Sequence, residues 1–132
     1  MQYEQSIVDL HDFFVGWFTG ILEQVAFQQF EDALAEGYSM AVNSGAMLSR
    51  KDVIESIHGM YGQQDDFRIW ITDVVVRHEC GDTAIVTYYE WQKVSGKTTR
   101  RTSTVIFRLD ADAPHGLRWL HVHESGLQEM SN

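Results

Sequence analysis

Cysteine is nearly missing from this 132-residue chain, with Cys80 its sole example. That excludes an internal disulfide and any structural zinc site built on several thiolates. Basic residues are also in deficit, ten Lys and Arg against nineteen Asp and Glu, for a net charge of −9. Nucleic acid and anionic lipid both demand a basic footprint, so neither is an expected partner. No apolar run approaches the roughly 20 residues of a membrane helix. The opening Met1-Gln2-Tyr3-Glu4-Gln5 lacks the basic start of a secretory signal. From these absences the expected compartment is cytoplasmic. Gly-rich phosphate loops, internal repeats and low-complexity segments are absent too.

What is present is enough for a core. The chain is 44% hydrophobic and carries four Trp, five Tyr and seven Phe, and its length fits one domain over residues 1–132. From Glu4 to about Leu34 the period is helical. Ile7, Leu10, Phe14, Trp17 and Ile21 share one face of a first helix, which Gly16 and Gly20 weaken. Phe27, Phe30 and Leu34 share a face of a second, shorter one. Tyr38 to Asn43 is a short strand candidate. Ser49-Arg50-Lys51-Asp52 reads as a capping box opening a third helix on Val53, Ile54, Ile57 and Tyr61, with Gly62 as its stop.

Beyond that point the period changes to two. Strands are expected over Phe67–His78, Thr83–Val94, Thr98–Leu109 and Leu117–Leu127. A three-residue loop, Ser95-Gly96-Lys97, joins the middle two. A longer loop from Asp110 to Gly116, holding the sole proline, Pro114, precedes the last. Helices first and a meander afterwards make an α+β domain, a curved sheet covered by three N-terminal helices with a hollow between them. The most informative stretch is the last strand, Arg118-Trp119-Leu120-His121-Val122-His123-Glu124-Ser125-Gly126. It is too polar to be plain core, so it lines a cavity, an interface, or one on each side.

Three motifs carry a resemblance: Gly81-Asp82-Thr83-Ala84-Ile85-Val86-Thr87, Arg100-Arg101-Thr102, and Trp119-Leu120-His121-Val122-His123-Glu124-Ser125. With the order of elements, they resemble the nuclear-transport-factor-2-like (cystatin-like) superfamily, its SnoaL-like branch, and the calcium/calmodulin-dependent kinase association domain. The resemblance implies a cone-shaped, barrel-like curved sheet of mixed or antiparallel strands around a pocket, and no cofactor. It leaves function open, because this superfamily hosts isomerases, cyclases, dehydratases, binding modules and assembly domains. Two pocket arginines of the kinase association domain align with Glu124 and Glu90, and a third falls near Thr104. The resemblance therefore implies a pocket of inverted charge. The isomerase branch places its proton-transfer acid near the end of the first strand, where this chain reads Ala41-Val42-Asn43 and has no acid.

If Glu124 points inward, strict alternation brings Arg118, Leu120 and Val122 with it. Glu90 likewise brings Val86, Tyr88 and Gln92. The three-residue loop places Arg100, Thr102, Thr104 and Ile106 on that side; a two-residue loop would choose Arg101, Ser103 and Val105 instead. The candidate site is then Glu90 and Glu124 as acid or base. Tyr88, Arg100, Thr102 and Thr104 contact the ligand, and Trp17 caps the mouth. Two readings stay open. One is a small-molecule pocket working as an isomerase or lyase by proton transfer, with Arg100 or Tyr88 stabilising negative charge. The other is a non-catalytic assembly domain, with a structural ion-pair network in the hollow. The outward face would carry Ile85, Tyr89, Trp91, Val105, Phe107, Trp119, His121 and His123. That set is apolar enough to predict a homodimer through the sheet, with Tyr89, Trp91, Phe107, Trp119, His121 and His123 in the interface.

Other features carry less. His121 and His123 share a strand face, but a metal would need a third ligand, His78 or Glu79, so no metal is expected. His11 and His58 fall on predicted helices, as surface or pocket-rim residues. Cys80 sits among acids that raise a thiol pKa, which makes it a poor nucleophile.

Overall fold

The computed structural model describes residues 2–130. Helix α1 (Gln2–Phe18) turns Ile7, His11, Phe14 and Phe18 to one side, the 3.6-residue period applied to positions 7, 11, 14 and 18. It ends earlier than the spacing of Ile21 suggests: Gly20 takes φ +78°, and Ile21 lies 80% exposed. The carbonyls left free at its C-terminus are met from outside the helix. Gly62 N–H donates to Trp17 O and Gln64 N–H to Phe18 O, each at 3.0 Å. A single 3-10 turn (Gln24–Ala26) leads into helix α2 (Phe27–Ala33).

Strand β1 (Leu34–Ala41) begins as α2 ends, and β2 (Met47–Ser49), which the sequence reading lacks, pairs with its outer edge. Helix α3 (Arg50–Gly59) opens on the expected capping box. Ser49 Oγ accepts from Asp52 N–H and the Asp52 carboxylate accepts from Ser49 N–H. It stops at Gly59 rather than at Gly62. Strands β3 (Phe67–Cys80), β4 (Thr83–Val94), β5 (Lys97–Leu109) and β6 (Leu117–Met130) follow.

The six strands form one sheet in the order β2-β1-β6-β5-β4-β3. Only β1 and β6 run parallel; the other neighbours are antiparallel. The sheet stays open, with β2 and β3 as free edges, so it curls without closing into a barrel. Register shifts supply the bend: two lie in the β3–β4 pairing, one beside Asp73 with its φ of 58°, and two in the β5–β6 pairing. The three helices pack on the inner face. The core there is aromatic: Phe13 stacks on Trp17 and on Phe30, and Trp17 meets Phe27 and Tyr61 in tilted contacts.

Two local details overturn the expected facing of β5 and β6. The β4–β5 loop has two residues, since Val94 pairs with Lys97. Ser95 (φ 51°) and Gly96 (φ 80°) adopt the left-handed pair of a type I′ turn. The register is therefore Glu90 opposite Arg101, and Arg101, Ser103, Val105 and Phe107 face inward. Arg100, Thr102, Thr104 and Ile106 face outward. In β6, Phe107 pairs with Trp119 but Ile106 pairs with His121, leaving Leu120 as an extra residue. Trp119, Val122 and Glu124 consequently point inward together, which strict alternation forbids. Val105, Phe107 and Trp119, expected on an outer interface, are core residues at 0%, 0% and 1% exposure.

Candidate functional site

The inner sheet face and the helices enclose a hollow of about 330 Å³. Its walls are mostly apolar, with Phe14, Phe18, Phe30, Ile57, Phe67 and Ile69 among them; Tyr38, Tyr88, Glu90, Gln92, Glu124 and His11 supply polar atoms. The partly exposed Met60, Gln64, Gln92 and Val94 mark the end that approaches solvent, while His11, Tyr88, Glu90 and Glu124 are buried.

The structure thus brings Glu90, Glu124 and Tyr88 together, as the sequence reading proposes, and does not bring Arg100, Thr102 or Thr104 to them. Arg100 lies on the opposite face, over the rings of Tyr89 and Trp91. Arg101 takes its place between the carboxylates, its Nε 3.9 Å from Glu90 Oε2 and its Nη1 3.7 Å from Glu124 Oε1. At those distances it acts through charge, and its Nε makes no hydrogen bond among the described residues. Trp17 does not cap the mouth. It is 1% exposed in the core, and its Nε1–H donates to Ile57 O at 2.8 Å.

His11 is the residue of the hollow that the sequence reading placed wrongly. It is buried rather than on a rim. Its Nδ1–H donates to Ile7 O at 2.7 Å, and its Nε2 lies 3.0 Å from Glu90 Oε1. The signal was its spacing, four after Ile7 and three before Phe14, on the apolar face of α1. Gln92 Nε2–H donates to the other oxygen of Glu90 at 2.5 Å.

These contacts drive the two carboxylates apart. Burial alone would raise the Glu90 pKa. The His11 charge and hydrogen bond, the Gln92 hydrogen bond and Arg101 outweigh it and hold Glu90 below its ordinary value. Burial would likewise lower His11, but Glu90 and the Ile7 carbonyl hold it raised. Glu124 has Arg101 and the more remote charge of His11 to lower it, and they do not suffice. Burial first, and the charge of Glu90 second, push it up to about 7 against the pull of Arg101. Burial and the nearby carboxylates also raise the phenols of Tyr38 and Tyr88, which stay protonated donors at neutral pH.

Among the described residues no group of three or more His, Cys, Asp or Glu is placed to hold a metal. His121 instead pairs its Nδ1 with Ser39 Oγ at 2.8 Å. No helix among them is long and apolar enough to cross a membrane.

Residues 4–128 match the family described as Sucrose-6-phosphate phosphohydrolase C-terminal. Probable sucrose-phosphatase 3a of Arabidopsis thaliana is 26% identical over 131 residues, 96% of this chain, and the chain spans 31% of that protein's length. Among solved structures, a nuclear-transport-factor-2-like protein of unknown function from Pseudomonas aeruginosa superposes with a TM-score of 0.88. It shares 24% identity, over 99% of this chain and 100% of that one. An uncharacterized protein with a cystatin-like fold from Caulobacter vibrioides gives 0.62 at 12% identity, over 90% and 82%. The calcium/calmodulin-dependent protein kinase II hub of S. rosetta gives 0.59 at 20% identity, over 78% and 86%. The nuclear-transport-factor-2-like fold expected from the sequence is the fold of these neighbours.

Proposed function

The chain belongs to the sucrose-6-phosphate phosphohydrolase C-terminal family, and from its hollow we propose a small-molecule pocket that moves a proton, as an isomerase or lyase without a cofactor. The observation that carries this reading is the split between two carboxylates on one wall: Glu90 is held ionised while Glu124 is pushed up to about 7. Acid–base work at neutral pH needs a group that both gives and takes a proton there. Glu124 is that group. Glu90, engaged by His11 and Gln92, is a positioning residue whose charge tunes Glu124. The O–H groups of Tyr38 and Tyr88 stand ready to stabilise negative charge on a ligand. The unit acts as one domain, and its single cysteine and acidic composition suit the cytoplasm. The phosphatase in the name of the Arabidopsis relative belongs to a longer protein; here it suggests a module that works beside such an enzyme.

The test is solvent deuterium exchange into an enolisable ketone, followed across pH 5–9. Catalysed exchange should follow an apparent pKa near 7, that of the buried Glu124 carboxyl, and vanish in Glu124→Gln. Equal exchange in that variant removes Glu124 from the mechanism.

A second reading is favoured by the outer sheet face and by the hub neighbour. Trp70 stacks on Trp91 with centroids 5.8 Å apart, Arg100 lies over Tyr89 and Trp91, and His121 and His123 stand further along the same face, opposite Ile106 and Thr104. We propose that this face receives a second copy of the chain. Pocket and assembly are compatible, since they use opposite faces of one sheet.

A further inference from the structure

We infer that the hollow takes a compact, uncharged molecule with an apolar body and one carbonyl-type oxygen at the Tyr38–Tyr88–Glu124 end, and that it refuses sugar phosphates and carboxylates. This rests on the pocket reading above and goes beyond it by naming the ligand class.

Size comes first. At roughly 30 Å³ per water, the volume of about 330 Å³ suits a ring with a short substituent. Lining comes second. Phe14, Phe18, Phe30, Ile57, Phe67 and Ile69 offer nothing to hydroxyls, so a sugar would leave most of its polar atoms unpaired.

Charge is the third argument. Among the described residues no Lys or Arg lines the hollow. The nearby cations are committed, His11 between Ile7 O and Glu90, and Arg101 between Glu90 and Glu124. A phosphate or carboxylate would therefore meet two acids and no free cation. An amine would meet Glu90 and Glu124 already paired with His11 and Arg101, and would add a further cation beside theirs. What remains on offer is a set of donors: two phenol O–H groups and, in its protonated form, the Glu124 carboxyl. They match a lone oxygen acceptor.

Calorimetric titration of the whole chain at pH 6 tests this with four probes: acetophenone, 1-phenylethylamine, benzoate and sucrose 6-phosphate. Acetophenone should bind at least about tenfold more tightly than each of the others. Its binding should weaken as the pH is raised to 8 and be lost in Ile69→Trp, a variant that fills the hollow and whose folding is checked by circular dichroism. Preference for benzoate, the amine or sucrose 6-phosphate overturns the inference, as does binding of none of the four. Acetophenone binding without deuterium exchange upholds the ligand class while removing the proposed proton transfer, so the two failures are told apart.

Discussion

His11 Nε2 and Glu90 Oε1 lie 3.0 Å apart inside the protein, and the other nitrogen of His11 is spent on Ile7 O at 2.7 Å. Both ring nitrogens face acceptors, so the imidazole carries both protons while Glu90 is ionised. A buried pair of this kind contributes little over an apolar substitute, but breaking it strands a charge. His11→Phe should therefore cost about 3–5 kcal/mol at pH 6, and His11→Phe with Glu90→Leu should recover most of that. Urea denaturation measures both. A single variant as stable as wild type removes the ion pair from the account.

The same groups set a pH dependence. Glu90 is lowered from 4.5, so its contribution is present above 4.5 and lost as pH falls through its folded value. His11 is raised from 6.5, so its contribution is present below 6.5 and lost as pH rises through its folded value. The pair is at full strength between 4.5 and 6.5.

Glu124 adds a slope of its own. Raised from 4.5 to about 7, it is stable in the hollow as the neutral acid and costly as the anion. Its contribution is complete below 4.5 and fades as pH rises to about 7, by up to about 3 kcal/mol at ~1.4 kcal/mol per pH unit. Glu124→Gln should flatten this part of the stability curve, so that it matches wild type near pH 4.5 and exceeds it near pH 8. Parallel curves for the two proteins would place Glu124 in water.

Arg100 and Arg101 are adjacent in sequence and opposite in role. Arg101→Met should cost about 1–3 kcal/mol, as loss of a partner to charged groups does, and should raise the Glu124 pKa further by removing the cation that lowers it. Arg100→Ala loses its place over Tyr89 and Trp91, worth about 0.5–1 kcal/mol at an exposed site, and a 3.3 Å hydrogen bond to Gln128 Oε1, and should leave Glu124 unmoved. Carboxylate titration by carbon-13 NMR separates them. The reverse pattern would restore the register with Arg100 inward.

Element order and the capping box at Ser49 were legible because they rest on local periodicity and local hydrogen bonding. Glu90 and Glu124 were legible through the resemblance that aligns them with pocket positions, and alternation along β4 sets Tyr88 on the face of Glu90. Arg101 was not, because the facing of β5 turns on whether Lys97 belongs to the loop or to the strand, a difference of one residue. Trp119 was not, because the extra residue at Leu120 is a product of sheet curvature, which no local pattern announces. His11 was visible on the apolar face of α1, yet only the long-range approach of β4 reveals that its partner is Glu90, 79 positions away.

Trp91 and Trp119 report on opposite faces of the sheet. Trp119 is 1% exposed, packs edge-on against Phe107, and donates its Nε1–H to Ser6 Oγ at 3.1 Å. Trp119→Ala should cost about 3–5 kcal/mol, as large-to-small core changes do, and should not alter subunit association at temperatures where it stays folded. Trp91 stacks on Trp70 on the outer face and donates to Thr72 Oγ1 at 2.9 Å. If a second copy docks there, Trp91→Ala should shift the mass seen by light scattering toward the single chain while the isolated fold persists by circular dichroism. A monomeric wild-type protein at high micromolar concentration would end the assembly reading and leave the outer tryptophans as an unpartnered stack, with the pocket argument untouched.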